Sequence, residues 1–130
     1  MATWEDVAER ALQLPGAELG TQHGAPAWRC RNKVFVQLNP RLRIPGEDEL
    51  FVERGDRVMI LTDHDERRAL LDQDPETFVV TPHYESTPWV VAWLDTIDIE
   101  QLGELVEEAW STRASVVQRR AREGGRVDPA

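Results

Sequence analysis

The sequence predicts an α+β domain: a mostly antiparallel sheet of about five or six strands with helices packed on it. Two observations carry this prediction. Apolar residues recur at three- and four-residue spacing near both ends of the 130-residue chain, and short strand-like segments separated by turn residues fill the middle. The length is that of one domain. We therefore expect a single domain over residues 1–114, followed by a helical extension and a frayed tail over residues 115–130.

The first element is predicted to be a short amphipathic helix. Thr3 can cap it by accepting a hydrogen bond from the Asp6 N–H, and Trp4 begins an apolar stripe of helical spacing. Pro15-Gly16 ends the pattern. Acidic and basic residues alternate with the stripe, so this helix should lie on the core with one face in water.

A group of short strands follows, predicted at residues 18–22, 27–30 and 34–38. Arg31-Asn32-Lys33 has the composition of a tight hairpin turn. Because side chains alternate across a strand, Trp28 and Cys30 should share one face of this hairpin. By the same rule, Phe35 should face away from its two valine neighbours.

The second half of the chain is predicted to hold four more strands and two helices. Strands are expected at 50–52, 57–61, 78–80 and 89–94. Asp63 and Asp98 each stand where a helix N-cap is needed, and the second is followed by a long apolar stripe. The resulting order of elements is helix, strands, helix, two strands and helix.

The composition excludes several classes of protein. The chain is 41% hydrophobic and 30% charged, so it should fold, and no uncharged run approaches the ~20 residues that span a bilayer. Its net charge of −9 would repel nucleic acid on average. Any contact with DNA must therefore come from a local basic patch.

The charge is segregated along the chain. Residues 19–43 contain five basic and no acidic side chains, residues 44–112 are strongly acidic, and a second basic stretch begins at Arg113. A hairpin that carries basic side chains beside aromatic ones is typical of β-ribbon readers of nucleic acid. The alternative is that the basic residues of both stretches are solvated and paired with nearby carboxylates. The candidate nucleic-acid-binding residues are Arg29, Arg31, Lys33, Arg41 and Arg43.

Two loops combine His, Pro and aromatic residues and are the other unusual feature. If the loops at 23–28 and 81–89 met at one end of the sheet, they would line a binding cleft. The alternative is that these side chains have a purely structural role and hold the two loops in place. The candidate cleft residues are His23, Trp28, His83, Tyr84 and Trp89.

The motifs of catalysis and metal binding are missing from the sequence. The three histidines lie far apart and without ligand spacing, and neither a glycine-rich phosphate loop nor Gly-x-Ser-x-Gly occurs. We therefore predict no catalytic residues, no metal site and no cofactor. The single Cys30 is expected to be a small buried strand residue, and the N-terminus lacks the features of a secretory signal, so a cytoplasmic location is the default.

An ordered series of motifs resembles the MmcQ/YjbR family of small bacterial proteins. It consists of His23-Gly24-x-Pro26-x-Trp28-Arg29, Lys33-Val34-Phe35, Leu70-Leu71, Asp74-Pro75-x-x-Phe78, Thr81-Pro82-His83-Tyr84, Trp89-Val90 and Leu105-x-x-Glu108-Ala109-Trp110. The resemblance runs from about Trp4 to Ala114. It implies a compact α+β fold of the secretion-chaperone-like type and a role in DNA binding, and it offers no established catalytic or cofactor residues to carry over to this chain.

Three hypotheses about function follow. The leading one is a non-enzymatic binding domain that contacts DNA through the basic hairpin. The second is an acidic module that binds a protein partner, and the third is a small-molecule or enzymatic cleft at the His23 and His83 loops. No membrane partner is expected, and the oligomeric state is open.

Overall fold

The computed structural model describes residues 1–40, 56–80 and 84–126, with side chains to residue 124. In these ranges the sheet order is β1-β2-β3-β4-β6-β5, and every neighbouring pair is antiparallel. This confirms the predicted α+β class with a six-stranded antiparallel sheet. The elements are α1 (Trp4–Ala11), β1 (Ala17–Gln22), β2 (Ala25–Cys30), β3 (Lys33–Leu38), β4 (Arg57–Leu61), α2 (His64–Gln73), β5 (Phe78–Val79), β6 (Trp89–Trp93), α3 (Ile99–Arg113) and α4 (Val116–Arg126).

Helix starts follow local capping chemistry. Thr3 and Asp6 form a reciprocal capping box at α1, and the side chains of Asp63 and Asp98 accept hydrogen bonds from the third helical amides of α2 and α3. At α4, Ser115 and Gln118 exchange equivalent bonds of 2.9 and 3.1 Å. The predicted strand at 50–52 and the tail beyond 126 lie outside the described residues.

Two tight turns connect the first three strands. His23 and Gly24 have φ of 51° and 80°, and Arg31 and Asn32 have φ of 54° and 66°. Positive φ at both central residues is the signature of the type I′ hairpin turn. The turn is therefore two residues long, and Lys33, which the sequence had placed in it, is the first residue of β3.

One face of the sheet packs against α1 and α3 and forms the main core. Trp28 and Cys30 both belong to this core, as the alternation of side chains predicts. The prediction for Phe35 was wrong, because both Phe35 and its neighbour Val36 are fully buried in the same core. The β2–β3 register shifts between Trp28 and the next residue, and a bulge of this kind brings two successive side chains to one face.

The opposite face carries a smaller cluster, in which Met59 and Val91 are buried and Tyr84 packs against them. Arg67 of α2 fixes the segment before β6. Its guanidinium donates hydrogen bonds to four backbone carbonyls, those of residues 84, 85, 87 and 89. Among the described residues, no helix combines the length and apolarity needed to cross a membrane.

Candidate functional site

A concentration of positive charge lies where the β2–β3 turn meets the end of α3. Arg31 and Lys33 of the hairpin, together with Thr112 and Arg113 of the helix, line a cavity of about 160 Å³. Arg113 is fixed there because its Nε donates a 3.2 Å hydrogen bond to the Val34 carbonyl. We call Arg31, Lys33 and Arg113 the basic corner.

The basic corner keeps its charge at neutral pH. Burial lowers the pKa of Arg113 from its ordinary value, but a guanidinium stays protonated well above neutrality. Arg31 and Lys33 are exposed and so remain available to a partner in solution. None of the described residues that line the cavity is acidic, so the corner attracts anions although the whole chain carries −9.

Arg29, the first residue of the predicted basic face, does not line the basic corner, because its side chain extends across β1. Its side chain passes over Gly20 of β1, where no Cβ blocks the way, with Nε 3.5 Å from the place a Cβ would occupy. Its Nη2 then donates to the Thr21 carbonyl at 2.6 Å and to Gln22 Oε1 at 2.9 Å. Arg29 is thus turned toward the sheet edge at β1.

Of the five predicted nucleic-acid-binding residues, the structure brings together Arg31 and Lys33. Arg41 and Arg43 lie outside the described residues. Sequence reasoning assigned Arg113 to a separate basic tail, and only the packing of α3 against the hairpin reveals its place in the corner. No local motif could have found this contact, since the two segments lie 79 residues apart along the chain.

Other basic residues near the C-terminus hold helices together. Arg119 Nη1 donates to the carbonyls of Ser111 and Ala114 and so satisfies the end of α3. Arg122 donates a 3.0 Å hydrogen bond to Glu107 Oε1. For Arg122 the interpretation as an arginine paired with a nearby carboxylate is therefore correct.

A larger cavity of about 330 Å³ lies between α1, α3 and α4, with Glu107 at its wall. Glu107 Oε1 is shared by Arg10 Nη1 at 3.2 Å and Arg122 Nη2 at 3.0 Å. Three further glutamates line the same cavity. Because its charges are mixed and Glu107 is already paired with two arginines, this cavity fits a role in docking α4 better than the binding of an ion.

Of the described residues of the candidate cleft, only Tyr84 and Trp89 lie together. Trp28 is only 3% exposed and belongs to the main core, so it cannot line a cleft. Its Nε1 is buried without a hydrogen-bond partner among the described residues. Tyr84 and Trp89 pack on Met59 and Val91. His83 lies outside the described residues.

The strand register shows how far apart the two loops are. Ala27, Gln37, Met59 and Val91 form one row across β2, β3, β4 and β6. Along the strands, the His23 turn lies beyond one side of this row and Trp89 lies on the other side. From Ala25, which follows the His23 turn, to Trp89 the separation is roughly 13 Å along the strands and roughly 14 Å across them, at ~3.4 Å per residue and ~4.8 Å per strand. The His23 turn lies farther still from Trp89.

Cys30 and Glu66, which lie outside the basic corner, also have shifted pKa values. Burial raises the pKa of the Cys30 thiol, whose Sγ donates to Gln118 Oε1 at 3.4 Å, so it remains a protonated packing residue. Two effects raise the pKa of Glu66 to about 7: burial, which is the larger, and a hydrogen bond to the Glu108 carboxyl group. These two carboxyl groups join α2 to α3. In the described part of the chain, no three metal-ligating side chains cluster.

Comparison with known proteins gives three kinds of match. The family model described as YjbR matches residues 12–112. Uncharacterized proteins of Mycobacterium tuberculosis and Mycobacterium bovis are 32% identical over 120 residues, which cover 88% of this chain and 90% of theirs. The crystal structure of Deinococcus radiodurans protein DR2400, a DUF419 domain, superposes with a TM-score of 0.69 at 16% identity, covering 95% of this chain and 89% of that one.

Proposed function

Because the chain belongs to the YjbR family, we propose that it is a non-enzymatic cytoplasmic binding domain whose basic corner contacts the phosphates of duplex DNA. The observation that carries the proposal is the convergence of Arg31, Lys33 and Arg113 around one cavity with no acidic lining residue among those described. The guanidinium groups of Arg31 and Arg113 can bind phosphate through two hydrogen bonds each, and the Lys33 ammonium group adds a point charge.

The position of the corner suits a groove or backbone contact. Arg31 and Asn32 form the tip of a hairpin, so the side chains at the tip can reach a phosphate while the acidic remainder of the surface stays away. A contact through three cations is small. It should therefore be weak, insensitive to base sequence and strongly dependent on salt.

The proposal is tested by titrating duplex DNA at several salt concentrations. Neutralising three phosphates gives a log–log slope of about −2.7, which lowers the affinity about 40-fold when salt rises from about 50 to 200 mM. The double variant Arg31→Asn, Lys33→Thr leaves one cation in the corner and should reduce the slope to about −0.9. Asn accepts the positive φ of the turn and Thr suits a strand, so the fold should survive both changes.

A matched control removes the same charge elsewhere. Arg68 and Arg120 are exposed basic residues outside the corner. The variant Arg68→Ala, Arg120→Ala should keep the slope of the unmodified protein. Absence of salt-dependent binding at micromolar protein, or an equal loss in both double variants, would overturn the proposal.

A further inference from the structure

The outer edge of β1 is an unpaired strand edge of unusual composition. β1 stands at one end of the sheet order, and no described strand pairs with its outer side. We propose that this edge pairs antiparallel with β1 of a second copy of the chain, about a two-fold axis that passes beside Leu19. The two six-stranded sheets would then continue into one.

The turn geometry determines which backbone groups point outward. In a two-residue type I′ hairpin the residues that flank the turn, here Gln22 and Ala25, exchange hydrogen bonds, and the pattern alternates along the strands. Ala17, Leu19 and Thr21 are therefore at non-hydrogen-bonded positions toward β2 and direct their N–H and C=O groups to the open edge. Consistently, the Ala17 N–H bonds to the Leu14 carbonyl at 3.2 Å.

Two of these six outward groups are already satisfied within the chain. The Ala17 N–H is occupied by Leu14, and the Thr21 carbonyl accepts from Arg29 at 2.6 Å. Four groups have no hydrogen-bond partner among the described residues: the N–H and C=O of Leu19, the Thr21 N–H and the Ala17 C=O.

A symmetric register centred on Leu19 uses these four groups and no others. Leu19 would lie opposite the second copy's Leu19, and their N–H and C=O groups would exchange two hydrogen bonds. Thr21 would lie opposite the second copy's Ala17, and each Thr21 N–H would donate to an Ala17 carbonyl. The Ala17 N–H and the Thr21 carbonyl would face each other, so the Leu14 carbonyl and the Arg29 guanidinium that occupy them would have to lie out of the plane of the joined sheet.

The side chains of β1 suit the same register. Leu19 is 61% exposed, and pairing would bury it against its own symmetry mate. Glu18 would lie opposite the second copy's Gly20, the residue over which Arg29 crosses, so opposite charges would meet on that face. β1 contains neither Lys nor Pro, which commonly protect exposed edges, whereas the other edge strand, β5, is only two residues long.

The oligomeric state of the full chain tests the proposal. Sedimentation equilibrium from micromolar to millimolar protein should show conversion of a 14.9 kDa chain to a species of twice that mass. Thr21→Pro removes an outward N–H and no β1–β2 hydrogen bond, so it should raise the dimer dissociation constant about 30-fold through the loss of two hydrogen bonds. Thr21→Ala keeps the N–H and is the matched control.

A second variant and a second readout keep the test decisive. Leu19→Lys places two like charges opposite each other at the axis and should abolish the dimer without changing thermal stability of the monomer, since the position is exposed. Amide exchange of Leu19 and Thr21 should slow as concentration rises. A chain that stays monomeric at millimolar concentration overturns the proposal, and so does a dimer that tolerates both Thr21→Pro and Leu19→Lys.

Discussion

Glu107 of α3 is paired with an arginine of α1 and an arginine of α4, and the loss of its charge has a predictable effect on stability. Glu107 Oε1 lies 3.2 Å from Arg10 and 3.0 Å from Arg122, and the side chains of Glu107, Arg10 and Arg122 are 11%, 30% and 16% exposed. Glu107→Gln keeps the shape of the side chain and removes its charge. The two guanidinium groups then repel each other with no carboxylate between them.

The expected cost follows from the burial of the three groups. Removing one partner of a fully buried pair costs about 3–5 kcal/mol. Because both arginines retain part of their hydration, we expect about 2 kcal/mol for Glu107→Gln, which corresponds to a fall in Tm of about 6–8 °C for a domain of this size. α4 should also become more sensitive to protease, since Arg122 links it to α3.

Thermal denaturation and limited proteolysis measure these effects. Glu9→Gln is the matched control, because Glu9 is an exposed carboxylate on α1 that does not line this cavity, and its neutralisation should change stability by less than about 0.5 kcal/mol. An unchanged Tm for Glu107→Gln would show that the three-residue ion pair contributes nothing to the docking of α4.

Two further predictions concern a turn and a pH effect. Asn32 has φ of 66°, so Asn32→Gly should stabilise the β2–β3 hairpin by about 0.5–1 kcal/mol in urea unfolding, and a loss of stability would contradict the type I′ assignment. The pKa of Glu66 is raised from 4.5 to about 7, so the folded chain holds a proton that the unfolded chain releases, and stability falls as pH rises through that window. Glu66→Gln cannot ionise and should therefore raise Tm at pH 8 but hardly at pH 5; an equal effect at both pH values would refute the raised pKa.

Local chemistry made much of the fold predictable. Thr3, Asp63 and Asp98 cap their helices as the sequence indicates, because a cap depends on residues within one turn. The strand segments around Trp28 and Val58 were found from composition and turn signals for the same reason. Phe35 was misplaced because a bulge depends on the register between two strands, which a single strand's alternation does not contain.

The candidate site was only partly predictable, because it is made by contacts between distant segments. Arg29 was included in the basic face since alternation alone places it beside Arg31, yet the gap at Gly20 allows its side chain to cross β1. A glycine diagonal to a long basic residue across a hairpin, as Gly20 is to Arg29, is a signal that could have been used. The contribution of Arg113 depends on how α3 meets the hairpin, and no spacing in the sequence encodes it.

We propose that the basic corner is where this domain contacts nucleic acid. The most direct measurement is amide chemical-shift mapping by NMR as a short DNA duplex is added at low salt. We predict that the largest changes fall on Arg31, Asn32, Lys33 and Thr112 and disappear as salt is raised. Shifts that are absent, or that fall on another surface and leave this turn unchanged, would contradict the claim.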